Sequence, residues 1–152
     1  MKIDFLKNFN FNSSGRKATD AEIKLLLTKV TFVPNWYCEL IFNYPLINRG
    51  IEISQDKDHS RMGIDLYWMS PEQTIEELFD YYPGINLKSE KIFPFGICAM
   101  GSGNPYFIDT NSSKFPVLRI IHDNFDENLK NIHEIVQISF NEFIENAFLY
   151  EN

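Results

Sequence analysis

Two cysteines in 152 residues, Cys38 and Cys98, are too few for a disulfide framework, and their spacing is not that of a zinc site. Both stand among apolar neighbours, so they are expected to be buried, reduced thiols behaving as small hydrophobes. No apolar run approaches the ~20 residues of a membrane span. The opening residues, MKIDFLKNFNFNSSG, lack both the continuous apolar stretch and the small-residue cleavage site of a secretory leader. A cytoplasmic protein without membrane contact is expected. Repeats, low-complexity tracts and long linkers are missing as well. The chain therefore reads as one domain over 1–152, with 1–18 as an N-terminal extension hinged at Asn10–Arg16 and carrying Ile3, Phe5, Leu6 and Phe9.

Basic residues are scarce in the later part. Residues 51–152 hold seven Lys and Arg against seventeen Asp and Glu, a net of −10, whereas residues 1–50 are +3. Phosphate binding depends on Lys and Arg, so a nucleic acid is not expected as a direct ligand. A basic partner fits better, with solubility as the plain alternative.

Hydrophobic residues are plentiful, at 44% of the chain, and 14 of the aromatics are Phe, which argues for a well-packed globule. Thr19 opens a first helix with the capping-box pattern T-D-A-E, and Ile23, Leu26, Leu27 and Val30 fall on one apolar face. Pro34, at a first helical position, opens a second with Tyr37, Leu40, Ile41 and Tyr44. Ile51–Ser54 and Met62–Met69 read as strands. Ser70-Pro71-Glu72-Gln73 starts a third helix whose inner face is Ile75, Leu78, Phe79 and Tyr82. Three strands then form a meander: Ile92–Ala99, Pro105–Asp109 and Pro116–His122. Gly101, Gly103 and Asn104 supply positive φ at its first turn. Asp126–Lys130 reads as a turn or short helix, Glu134–Ile138 as a strand, and Ser139 caps a last helix burying Phe140, Phe143, Ile144, Ala147 and Phe148. The fold class is α+β, an antiparallel sheet packed by helices. Phe95, Ile97, Phe107, Val117, Leu118, Ile120, Phe140, Phe143 and Ile144 are expected in one core.

Catalytic patterns fare poorly. A strand follows Gly101-Ser102-Gly103, so it is neither a phosphate-binding loop nor a nucleophile elbow. His59, His122 and His133 are scattered, with no paired metal-ligand spacing. A triad of Ser102, His122 and an Asp would need an oxyanion hole that nothing in the sequence provides. Glu76 and Glu77 point about 100° apart around a helix. Trp36 and Trp68 could line a groove but more simply fill a core. No enzyme activity, metal or cofactor is expected.

The stretch FPFGICAMGSGNPYFID (93–109), the polar loop after it and the apolar strand ending in His122-Asp123 resemble the centre of the SUKH superfamily, the Smi/Knr-like domains. Val33-Pro34-x-x-Tyr37 is similar to that family's Leu-Pro-x-x-Tyr segment, and Asn48-Arg49-Gly50 partly matches its Asn-Gly-Gly. Ser139-Phe140 and Glu142-Phe143 are similar to its C-terminal helix, so the resemblance runs from about Thr19 to Ala147. It implies a SUKH-like α+β domain. Bacterial members include immunity proteins that neutralise toxins by covering their active surface, and many such toxins are nucleases with basic surfaces. Other members are regulatory or scaffolding modules, which is the alternative. On the immunity reading, the candidate contact is the ridge of Glu72, Glu76 and Asp80 on the third helix, with Asp65 nearby in sequence. No base interrupts residues 62–87, so the field of that ridge is not expected to be cancelled locally.

Overall fold

The computed structural model describes residues 15–120 and 133–150, the side chains of His133 and Tyr150 excepted. The apolar N-terminal segment, His122-Asp123 and the Asp126–Lys130 segment, expected as a turn or short helix, lie outside the described residues. Helix α1 (Asp20–Lys29) opens on the expected capping box: Thr19 Oγ1 accepts from the Glu22 amide at 3.2 Å, and Glu22 Oε2 accepts from the Thr19 amide at 2.9 Å. Leu26 and Val30 are buried and Ile23 half-buried, but Leu27 is exposed, on the rim of the expected face. Before the helix, Arg16 bridges Ile47 and the Ala18 amide donates to Ile41. Helix α2 (Asn35–Asn43) starts one residue later than expected, with Pro34 as its extended N-cap, and buries Tyr37, Cys38, Leu40 and Ile41.

Strands β1 (Gly50–Ile53) and β2 (Ile64–Trp68) precede helix α3 (Pro71–Phe79) and the short α4 (Gly84–Leu87). The meander follows as β3 (Ile92–Cys98), β4 (Pro105–Asp109) and β5 (Val117–Ile120). Then come β6 (His133–Gln137), α5 (Phe140–Asn146) and β7 (Phe148–Tyr150). The seven described strands form one antiparallel sheet in the order β6-β5-β4-β3-β2-β1-β7. The chain is thus α+β, as the sequence implies. Among the described residues no helix is long and apolar enough to cross a membrane.

The last helix ends before the position expected of it. Ala147 takes an extended conformation, and Phe148 turns outward on β7, 66% exposed, instead of packing beneath α5. Three residues are too few for a strand to declare itself in sequence, and β7 exists because β1 offers it an edge.

The single expected core is two. Side chains alternate across a strand, so Tyr106 and Ile108 of β4 join the larger cluster while Phe107 between them joins a smaller one. The larger holds Phe95, Val117, Phe140, Phe143 and Ile144 around Trp68 and Tyr37. The smaller places Phe107, Leu118 and Ile120 with Ile92 and with Leu87 of α4. Ile97 is only half-buried. The first meander turn has positive φ at Gly101 (85°) and Gly103 (71°) but not at Asn104, whose amide donates to Ser102 Oγ at 3.2 Å. Trp68 lies in the core, and Trp36 packs its half-buried ring against Phe115 and Phe140.

Candidate interaction surfaces

Helix α3 carries the sequence-predicted ridge. Its start is fixed by Ser70, whose hydroxyl accepts from the Gln73 amide while Gln73 Oε1 accepts from the Ser70 amide at 2.9 Å. The inward side is Thr74 and Leu78, with Ile75 half-buried, and Thr74 Oγ1 donates to the Pro94 carbonyl at 3.0 Å. This corrects the expected inner face. Phe79 is the last helical residue, one step of about 100° past Leu78, and is 39% exposed; Tyr82 lies beyond the helix and is 62% exposed.

Glu72, Glu76 and Asp80 all face solvent at i, i+4 and i+8, with Asp80 as the C-cap. Glu76, Glu77 and Asp80 gather at the negative end of the helix, and no base lies in its last turn. A helix C-terminus favours cations, so this placement opposes the helix dipole by about 0.3–1 kcal/mol per exposed charge at low salt. Tyr81, 56% exposed, follows at once, so acid and aromatic surface adjoin there.

The ridge field is tempered at both ends, contrary to the sequence-based expectation. Arg16, from outside the 62–87 stretch, is held charged mainly by its hydrogen bond to Glu22 and in smaller part by Glu72. Lys88 Nζ sits 4.1 Å from the centre of the Phe79 ring. Sequence adjacency misleads for Asp65. It is the second residue of β2, directly opposite Glu52 of β1, and it lines a cavity to which α3 contributes no residue.

That cavity, about 410 Å³, opens where the end of β1, the start of β2 and the β3–β4 turn converge. Its lining includes the carboxylate residues Glu52 and Asp65, the exposed Met62 and Met100, and the core residues Ile53 and Ile64. Met62 and Met100 are 62% and 77% exposed. Cys98 also lines it and is half-buried, which corrects the expectation of two buried thiols; Cys38 is buried, and that burial raises its pKa.

Arg119 of β5 reaches the cavity floor from within the protein. Its Nε and Nη2 donate to Glu134 Oε2 at 3.2 and 2.8 Å, Nη1 to the Gly63 carbonyl at 3.3 Å, and Nη2 to Ser60 Oγ at 2.7 Å. Burial works against its charge, but the Glu134 carboxylate and the Tyr106 hydroxyl more than offset this and raise its pKa. Ser60 in turn donates through Oγ and its amide to the buried Asp58 at 2.7 and 2.9 Å. The His59 amide donates to the Val136 carbonyl at 3.1 Å, and Gln137 Nε2 to the Lys57 carbonyl at 2.7 Å. The polar β1–β2 loop is therefore strapped onto β5 and β6.

Of the residues weighed for catalysis, Ser102 sits exposed in the turn and lines the cavity, while His122 lies outside the described residues. His59 Nε2 is 2.9 Å from Glu142 Oε1 of α5. Among the described residues no three of His, Cys, Asp and Glu converge as metal ligands. Glu52, Met62, Met100, Tyr81 and Arg119 were not singled out from sequence. Lys57 and Arg61 stand between Glu52 and Asp65 in sequence, and nothing there signalled that two paired strands would set these carboxylates opposite each other.

No family model matches the chain, and no curated protein or solved structure does either.

Proposed function

We propose that the chain is an immunity protein: in the cytoplasm it binds a cognate toxin domain, a nuclease with a basic surface, and inhibits it by covering that surface. The observation that carries this reading is the outward face of α3, where Glu72, Glu76 and Asp80 form a line of carboxylates running into exposed Tyr81 and Tyr82. Tyrosine is favoured at the energetic centre of interfaces, and acid placed against a helix dipole gains when a cation approaches. The resemblance of the 93–109 stretch to the SUKH superfamily supports the same assignment. Occlusion needs no catalytic group, metal or cofactor. An acidic inhibitor stands in for the phosphate backbone that a nuclease grips, and complementary charge speeds encounter.

The test is to look beside this chain's gene for the basic toxin domain this reading expects, and to titrate that domain with the protein. Activity is expected to vanish at one equivalent. The triple variant Glu72→Lys, Glu76→Lys, Asp80→Lys is expected to fold and yet fail to protect, with slowed association and an inverted salt dependence. Full protection by the folded triple variant removes the ridge from the interface. Protection with no complex detectable removes occlusion. A complex that leaves the toxin active favours the regulatory or scaffolding reading.

A further inference from the structure

We infer that Met62 is an oxidation-sensitive latch: a peroxide that converts its thioether to the sulfoxide draws Arg119 away from Ser60 and loosens the β1–β2 loop from the sheet. The inference does not depend on the toxin reading.

The latch follows from the protons on one nitrogen. Nη2 of a guanidinium carries two hydrogens. Three acceptors stand around that of Arg119: Ser60 Oγ at 2.7 Å, Glu134 Oε2 at 2.8 Å and Met62 Sδ at 3.3 Å. A thioether is the weakest acceptor of the three, so serine and glutamate take the hydrogens and Met62 is an acceptor in waiting. Ser60 is what this choice holds in place. Its hydroxyl accepts from Arg119 and donates to Asp58 Oδ2, tying a buried carboxylate of the loop to a buried arginine of β5.

Hydrogen peroxide transfers one oxygen atom to the sulfur: the O–O bond breaks, an S–O bond forms, the sulfur gives up two electrons and water leaves. Met62 is exposed and lines the cavity, which leaves room for the added oxygen. A sulfoxide oxygen is strongly polar, and its hydrogen bond to a guanidinium is charge-assisted. Three rotatable bonds let the methionine side chain swing that oxygen toward Nη2. Two hydrogens then face three strong acceptors, and one acceptor must yield. Glu134 carries the opposite charge and also accepts from Nε at 3.2 Å, whereas Ser60 is neutral and held by one bond. Ser60 is released. The Gly63 carbonyl keeps Nη1, and the bonds from His59 to Val136 and from Gln137 to Lys57 remain, so the loop loosens without detaching. Enzymatic reduction of the sulfoxide restores the thioether and resets the latch.

The test treats the whole protein with hydrogen peroxide, locates the oxidised methionines by peptide mass spectrometry, and follows amide hydrogen exchange in the loop. The exposed Met62 and Met100 are expected to oxidise before the buried Met69. The Ser60 and Arg61 amides, which donate to Asp58, should then exchange at least about fivefold faster, the scale of one lost hydrogen bond. Met100→Leu should respond to peroxide as the wild type does, and Met62→Leu should not respond. The second variant also controls for Cys98, whose thiol lines the same cavity. Met62→Gln, which sets an amide oxygen near Arg119, should loosen the loop without oxidant. Methionine sulfoxide reductase should return the oxidised wild type to slow exchange. Loosening by peroxide in Met62→Leu overturns the latch, because the effect then comes from another residue. Met62 sulfoxide formed with exchange unchanged overturns it as well, as does a Met62 that stays reduced while Met69 oxidises.

Discussion

The indole N–H of Trp68 donates to the hydroxyl of Tyr37 across 3.1 Å, joining β2 to α2 inside the larger core. Both side chains are buried, the rings stack with centroids 6.2 Å apart, and burial drives the tyrosine pKa far above its ordinary value. The pair forms a polar seam among Phe93, Phe95, Phe140 and Phe143. Tyr37→Phe removes the acceptor and strands the indole donor, which should cost about 1–3 kcal/mol in denaturant titration. A loss within error would mean that the indole finds another acceptor.

The carboxylates at the end of α3 oppose the helix dipole, so removing one should stabilise the free protein. Asp80→Asn is expected to raise the unfolding free energy by about 0.3–1 kcal/mol at low salt, less as salt is added. The same change should weaken the toxin complex. Stability and affinity moving in opposite directions is the signature of charge retained for binding; movement together would show that Asp80 serves the fold.

Glu22 gives a pH dependence whose sign is fixed. Its hydrogen bond to Arg16 holds the carboxyl well below its ordinary value, at about 2 against 4.5. A depressed carboxylate contributes stability that is present above its unfolded pKa and is lost as pH falls toward the folded value. The contribution should therefore fade between about pH 4.5 and pH 2. Arg16 is half exposed, so solvent screening reduces the effect to about 1 kcal/mol or less. Glu22→Gln keeps a capping-box residue and removes the charge. Its deficit at pH 7 is expected to disappear by pH 2, as followed by urea titration across that window.

Two glycines test different constraints. Gly101 has φ of 85° and open space around the position of a Cβ, so alanine there pays only for backbone strain, about 1–2 kcal/mol. At Gly84 φ is ordinary, but a Cβ would overlap the Glu77 carbonyl oxygen where α4 meets α3. Gly84→Ala is expected to be the more damaging of the two, since backbone must move. The order of their unfolding midpoints checks this.

What was legible in the sequence was what is decided within a few residues. The capping boxes at Thr19 and Ser70 and the cap at Ser139 are three-residue contacts, and all three form. The meander needed only its glycines and the flanking alternation. What depended on a distant partner was not legible. Phe79 and Leu27 continue an apolar spacing, yet which edge of a helix is covered depends on what packs there. The division of Phe107 from Phe95 into separate cores required knowing that helices lie on both faces of the sheet. Asp65 is five residues from the α3 cap in sequence, and the strand carries it to the cavity. Arg119, a lone base in an apolar strand, could not announce that Glu134 and Ser60 would enclose it.

Strand β1 is hydrogen-bonded to β2 on one side and to β7 on the other, and β7 lies roughly a hundred residues downstream. During synthesis at ~5–20 residues per second, that interval is about 5–20 s. For all that time the outer edge of β1 is a bare row of backbone donors and acceptors, able to pair with any extended chain nearby. The final strand is in this sense a closing stitch: the nascent protein is a template for misassembly until Phe148–Tyr150 emerges, and its yield in the cell depends on how quickly that stitch is made.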